Sequence, residues 1–240
     1  MSDISFNTFL INLKGLMAYT KMVQFDREIF IVSDMKESYI RLQNINMDEL
    51  NGKCISNIKS FLNRLSFVAD EDISIKEIDD NKIVLETETT EIVYSFSDEV
   101  NITNNFITKT SPNGIVKIPA SKIFNSLNSE LNKLPKVSVE LTEEKMTSIL
   151  KMVRMYQMKY FYFVIDNQKL YAKVEDTNKN YTKIFICDVD SVKSGTYKIQ
   201  TLPHIADWNL SLYTSPSGKE FVKWSIEGEI DILTMLPDKR

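Results

Sequence analysis

Apolar residues recur at three- and four-residue steps in three stretches of the chain, and each stretch predicts a helix with one buried face. Within 5–25, Phe6, Phe9, Leu10, Leu13, Leu16 and Met17 form the stripe, while Asn7, Thr8 and Lys14 fall outside it. Within 51–69, Ile55, Ile58, Phe61, Leu62, Leu65 and Val68 lie opposite Asn57, Lys59, Asn63 and Arg64. The third helix starts at Thr142, an N-cap residue type, with Glu143 and Glu144 suited to its first turn. It continues through Met146, Ile149, Leu150 and Val153, with Lys151 and Arg154 on the other face. A fourth helix is expected around 200–207, with Pro203 in its first turn.

Elsewhere the period falls to two or the apolar runs are short, which predicts strands. They cover 29–32, 38–42, 73–78, 83–87 and 92–96, then 161–165, 170–174, 183–186, 210–213, 221–226 and 230–233. Turn clusters at Asp79-Asp80-Asn81, Asp166-Asn167 and Ser215-Pro216-Ser217-Gly218 make antiparallel pairing the natural arrangement. Helix, strands, helix, strands then occurs twice, with Ile73 and Leu210 in matching places 137 positions apart. The expected class is α+β in two lobes, 1–110 and 139–240, joined by a connection at 111–138. That connection holds Ser111-Pro112-Asn113-Gly114, Pro119 and Pro135, and 120–133 forms an extra short helix within it.

A length of 240 residues suits two domains, and 43% apolar residues suffice for their cores. No apolar run is long enough for a membrane span, and no cation precedes Lys14 to form a secretory signal. Cys54 and Cys187 lie far apart without a partner motif, which fits free thiols in a reducing cytoplasm.

The net charge of −4 argues against nucleic acid until its distribution is considered. Four segments, 5–25, 51–69, 145–165 and 191–206, hold eleven cations and no acid. The stretch 101–129 is equally acid-free and reads mostly as linker. A charged outer face is what any surface helix shows, but a solvated face ordinarily mixes signs. The one-sided bias points to a polyanion, duplex DNA contacted without regard to sequence. Candidate contacts are Lys14, Lys21, Lys59, Arg64, Lys145, Lys151, Arg154, Lys159 and Lys198.

Catalytic motifs are missing from the sequence. Six scattered glycines form neither a dinucleotide nor a phosphate loop. The single histidine, His204, reads as a helix-surface or DNA-facing residue, and one His with two distant Cys makes no zinc site. Acids at 70–72, 79–80, 188 and 190 read as solvated turns, and Lys193 stands where a calcium loop from Asp188 needs glycine. No catalytic centre, cofactor or metal is expected.

This layout resembles the DNA sliding clamps, most of all those of tailed bacteriophages and more distantly the proliferating cell nuclear antigen family. The segments that carry the resemblance are Phe61-Leu-Asn-Arg-Leu-Ser-Phe-Val-Ala-Asp, Leu141-Thr-Glu-Glu-Lys-Met-Thr-Ser-Ile-Leu-Lys-Met-Val-Arg, and Ser194-Gly-Thr-Tyr through Leu236-Pro-Asp. It covers nearly the whole chain by pattern, without an invariant motif. The resemblance implies two structurally duplicated lobes, helices inside and antiparallel sheets outside, in a head-to-tail homotrimeric ring. It implies a processivity factor whose partners are duplex DNA, a DNA polymerase, a clamp loader and itself. It further implies a hydrophobic pocket for partner peptides, for which Met35, Tyr39, Ile115, Ile118, Met235 and Leu236 are candidates by position. Two other functions compete: a non-enzymatic β-rich structural or assembly protein of a virion, and a metal-dependent nuclease using the acid clusters.

Overall fold

The structure, a computed structural model, describes residues 6–25, 28–33, 37–43, 50–66, 73–97, 105–112, 114–134, 136–190 and 194–237. Contacts divide the chain into two units, Met1–Ser126 with Gly228–Ile230, and Leu127–Glu227 with Asp231–Arg240.

The first unit begins with α1 (Phe6–Met17), whose Leu13 and Leu16 are fully buried. The side chains of Phe6 and Phe9 lie outside the described residues. Four short strands follow: β1 (Val23–Gln24), β2 (Ile29–Val32), β3 (Ser38–Leu42) and β4 (Cys54–Ile55). Helix α2 (Ile58–Leu65) is started by Asn57, whose Oδ1 accepts the Ser60 N–H at 2.9 Å. Ile58, Phe61 and Leu65 turn inward from α2, and Phe61 meets Tyr94 edge-to-face at 4.9 Å. Burying each such side chain contributes about 1.5–3 kcal/mol. Helix α1 packs beside α2, and the Ile58 N–H donates to the Lys21 carbonyl at 2.8 Å. The unit continues with β5 (Ser74–Ile78), β6 (Lys82–Glu86) and β7 (Glu91–Ser95), then the ribbon β8 (Phe106–Ser111) and β9 (Gly114–Pro119). Helix α3 (Ala120–Leu131) runs across the division between the units.

The second unit opens with β10 (Lys136–Leu141) and α4 (Glu143–Met155). Thr142 Oγ1 accepts the Lys145 N–H at 3.4 Å, and Asp207 Oδ1 accepts the Glu143 N–H at 2.7 Å, so two open donors of the first turn are met. The helix stops where Gln157 adopts a positive φ of 51°. Next come β11 (Phe161–Asp166), β12 (Lys169–Glu175), β13 (Tyr181–Asp188) and β14 (Gly195–Ile199). Asn167 and Gln168, at φ 50° and 60°, form the two-residue turn that joins β11 to β12. The unit closes with β15 (Trp208–Thr214), β16 (Glu220–Ile226) and β17 (Ile230–Met235). Its core is aromatic: Phe161 meets Phe163 at 5.1 Å, Phe163 meets Trp224 at 5.9 Å, and Trp224 meets Trp208 at 6.4 Å.

Pairing within the two units runs in parallel terms. β1 pairs β4, β2 pairs β3, and β5-β6-β7 form one sheet. In the second unit β11 pairs β14, β12 pairs β13, and β15-β16-β17 are consecutive in one sheet with β10 beside β15. The strand pairs among the described residues are antiparallel, as the turn clusters predicted.

Three expectations are corrected. No helix forms at 200–207. Pro203 cannot donate to a helical ladder and disfavours helical geometry at Leu202. The His204 carbonyl is taken by Trp208 Nε1 at 3.0 Å, and the buried indole anchors an extended segment there. His204 is therefore no helix-surface residue; its ring packs edge-on to Trp208 at 5.4 Å. Cys54 and Ile55 belong to a strand, so α2 is shorter at its start than predicted, and Val68 lies outside the described residues. The stretch read mostly as linker carries the ribbon β8–β9, while α3 matches the short helix expected at 120–133.

Candidate nucleic-acid interface

The predicted contact residues fall into distinct settings. Lys14, in the last turn of α1, and Lys21, just beyond it, are exposed. Lys59 and Arg64 are exposed on α2, opposite Ile58, Phe61 and Leu65. Because α1 and α2 pack together, these four cations sit on neighbouring helices of one unit. Arg64 is partly held: Nη1 donates to the Val93 carbonyl at 2.9 Å and its guanidinium lies 5.5 Å from the Tyr94 ring centre.

In the second unit, Met146, Ile149 and Met152 seat α4 on the core, and Lys151 and Arg154 project one turn apart from the exposed side. The acid-free run starts only after Glu143 and Glu144, so α4 is acidic at its start and basic at its end, the sense its dipole favours. Lys159 is exposed in the loop after α4. Lys145 is tied back, with Nζ donating to the Ile186 carbonyl at 2.6 Å. Lys198 lies on β14 rather than on a helix, its ammonium 4.1 Å from the Tyr160 ring centre. Lys193 lies outside the described residues.

Some cations elsewhere are ion-paired, although among the described residues Lys109, Lys117, Lys136 and Lys219 are not. Strands and their flanks make ion pairs: Lys53 with Asp80 at 2.6 Å, Lys76 with Glu91 at 2.6 Å, Lys223 with Asp231 at 3.0 Å, and Lys173 with Glu175. Among the described residues, Lys14, Lys21, Lys59, Arg64, Lys151, Arg154 and Lys159 make none.

The peptide-pocket candidates are spread over both units. Met35 lies outside the described residues. Tyr39 is half-buried on β3, where burial raises its hydroxyl pKa. Ile115 is 73% exposed on β9, and Ile118 pairs with Ile107 in the β8–β9 ribbon, which neighbours β2. Met235 is 42% exposed at the end of β17, while Leu236 is buried and its N–H donates to the Glu220 carbonyl at 2.9 Å.

The acid clusters serve turns where they are described. Asp79 accepts the Asn81 and Lys82 N–H groups, and these bonds hold its carboxyl below the usual range. No group of three His, Cys, Asp or Glu side chains fit to hold a metal occurs among the described residues. No helix among them is long and apolar enough to cross a membrane. One surface escaped sequence reasoning, a set of tyrosines and lysines on the β11–β14 sheet. Its signal was the alternation of Tyr181, Lys183 and Phe185 along β13.

No protein-family model and no curated relative matches the chain. Solved structures do. Proliferating Cellular Nuclear Antigen from Entamoeba histolytica aligns with a TM-score of 0.59 at 9% identity, over 97% of this chain and 95% of that one. A. fulgidus PCNA bound to the C-terminal region of FEN-1 gives 0.56 at 8%, over 97% and 96%. A DNA polymerase III beta subunit from Eubacterium rectale gives 0.51 at 13%, over 98% of this chain but only 63% of that one. At such identities the likeness establishes the fold: this chain folds as these PCNA and beta-subunit proteins do.

Proposed function

We propose that the chain is a DNA sliding clamp of the phage type: three copies close head-to-tail around duplex DNA and tether a replicative polymerase. One observation carries the reading. Exposed cations on and just beyond α1, α2 and α4 lack acid partners among the described residues, and these helices carry no acid except Glu143 and Glu144 at the start of α4. A ring that must slide needs long, mobile cations that reach phosphates without reading bases. Such attraction is independent of sequence and weakens with salt. Lys14, Lys21, Lys59, Arg64, Lys151, Arg154 and Lys159 are the contacts of this reading; Lys145 is tied to the Ile186 carbonyl, and Lys198 lies on β14 rather than on a helix.

The open edge of β13 suits pairing across a subunit boundary, a heterologous contact that closes by rotation. Partner peptides from polymerase and clamp loader are assigned to apolar residues around Tyr39, Ile115, Ile118, Met235 and Leu236. The PCNA structure with a bound FEN-1 C-terminal region supports peptide capture as a mode open to this fold.

Imaging of lightly cross-linked protein tests the assembly. A three-fold ring with a hole wide enough for duplex DNA is expected, and monomers or solid particles despite cross-linking overturn it. Lys151→Glu with Arg154→Glu is expected to weaken DNA retention while the ring persists.

A further inference from the structure

The outward face of the β11–β14 sheet is built differently from the rest of the surface. Phe161, Phe163 and Ile165 on β11 and Leu170, Ala172 and Val174 on β12 are buried. The alternate positions therefore face outward. One row in register across all four strands reads Lys198, Tyr162, Lys173, Lys183. The next reads Thr196, Val164, Tyr171, Phe185. At the sheet edge Tyr181 is 60% and Phe185 48% exposed. Ammonium groups lie over rings: Lys183 is 3.6 Å from the Tyr171 centre and Lys173 is 4.7 Å from that of Tyr181. A depression of about 380 Å³ opens between Tyr162, Lys173, Tyr181 and Lys183.

Charge on this face opposes the chain's overall sign. Lys169, Lys173, Lys183 and Lys198 outnumber Asp166, Glu175 and Asp188, which stand at the last positions of β11, β12 and β13. Asp166 pairs with Lys183 at 3.6 Å, Glu175 pairs with Lys173, and Asp188 stands opposite Lys169, which leaves Lys198 in excess. Lys173 also stands directly opposite Lys183, a like-charge pairing that Glu175 and Asp166 relieve and that a phosphate would relieve further.

We propose that this face binds single-stranded DNA, with bases stacked on Tyr162, Tyr171, Tyr181 and Phe185 and phosphates met by Lys173, Lys183 and Lys198. Flat rings interleaved with cations suit a strand whose bases are free to stack. A duplex hides its base faces, an acidic peptide leaves the rings unused, and a second copy sets lysines against lysines. The lysines over the rings are no obstacle, because an exposed cation–π contact is weaker than the stacking of a base. An arriving base displaces the ammonium towards its own phosphate. The choice of DNA over RNA rests on the clamp reading; the surface itself is separate from the basic helices.

The test is fluorescence anisotropy of the whole chain with labelled oligothymidylate of about 16 nucleotides. Abasic oligomer of the same length, oligouridylate and duplex form the other arms. Oligothymidylate is expected to bind tightest. Tyr181→Ala with Phe185→Ala should weaken it at least about fivefold, and Lys183→Gln should lower the salt slope by about one. Both aromatics are exposed, so thermal melting should stay unchanged; should the sheet suffer, Lys173→Gln with Lys183→Gln carries the same test. Equal binding of the abasic strand, preference for oligouridylate or duplex, or unchanged binding by the variants overturns the proposal. Absence of a ring with oligothymidylate binding intact overturns the clamp alone, and a ring without such binding overturns this platform alone.

Discussion

Removing two charges from α4 gives the sharpest measure of the clamp reading. Lys151 and Arg154 are exposed one turn apart, make no ion pair among the described residues, and lie opposite Met146, Ile149 and Met152. Lys151→Gln with Arg154→Gln therefore leaves the core intact. The stability loss should be no more than the helix-dipole contribution of a last-turn cation, about 0.3–1 kcal/mol. If each side chain neutralises one phosphate, the slope of log affinity against log salt shrinks by about 1.8 per chain, at about 0.9 per contact. Between about 50 and 200 mM salt, the native chain should then lose about 12-fold more duplex affinity than the variant does. Duplex anisotropy across that salt range, paired with thermal melting, reads both quantities. An unchanged slope in a folded variant refutes the assignment of these residues to DNA.

Other expectations concern stability. Phe61→Ala, which empties a fully buried site and removes the contact with Tyr94, should cost about 3–5 kcal/mol in denaturant unfolding. Asn57→Ala should cost about 1 kcal/mol through the lost cap of α2, measured in the same way. Lys223→Ala removes the ion pair with Asp231, whose side chain is only 8% exposed, and should lower stability in denaturant unfolding more than Lys223→Met with Asp231→Leu does. The Asp176 carboxyl is held below the usual range first by the Asn180 side chain and then by backbone N–H groups. Its contribution is present above the ordinary carboxylate pKa and fades as pH falls through the lowered one. Asn180→Ala should raise that pKa in an NMR titration.

Period and caps made most of the framework legible. Helices α1, α2 and α4 follow stripes such as Ile58, Phe61 and Leu65, and strands β2 and β3 fall where alternation placed them. Misreadings arose where burial is weak or one residue overrides the pattern. The β8–β9 ribbon exposes both faces, so Ile115 and Val116 gave no alternation to read, although Pro112 and Gly114 marked its turn. At 200–207 a helix was expected with Pro203 in its first turn, but Pro203 and the anchoring of Trp208 decide otherwise. The basic helices were visible as missing acids. That Lys145 and Lys198 are held by a carbonyl and a ring was not, since their partners Ile186 and Tyr160 are remote in sequence.

The extended segment at 200–207 bears on symmetry. In the first unit β4 leads into α2, whereas in the second β14 leads into this segment and then β15, so the two units differ in what they would present to a duplex. Six equivalent lobes would give an enclosed duplex a field repeating every sixth of a revolution. A trimer of this chain repeats only every third, which spans about 3.5 base pairs of a helix with about 10.5 per turn. Rotation of such a ring about its axis would be coupled to advance along the groove in these coarser steps, favouring helical tracking over free spinning.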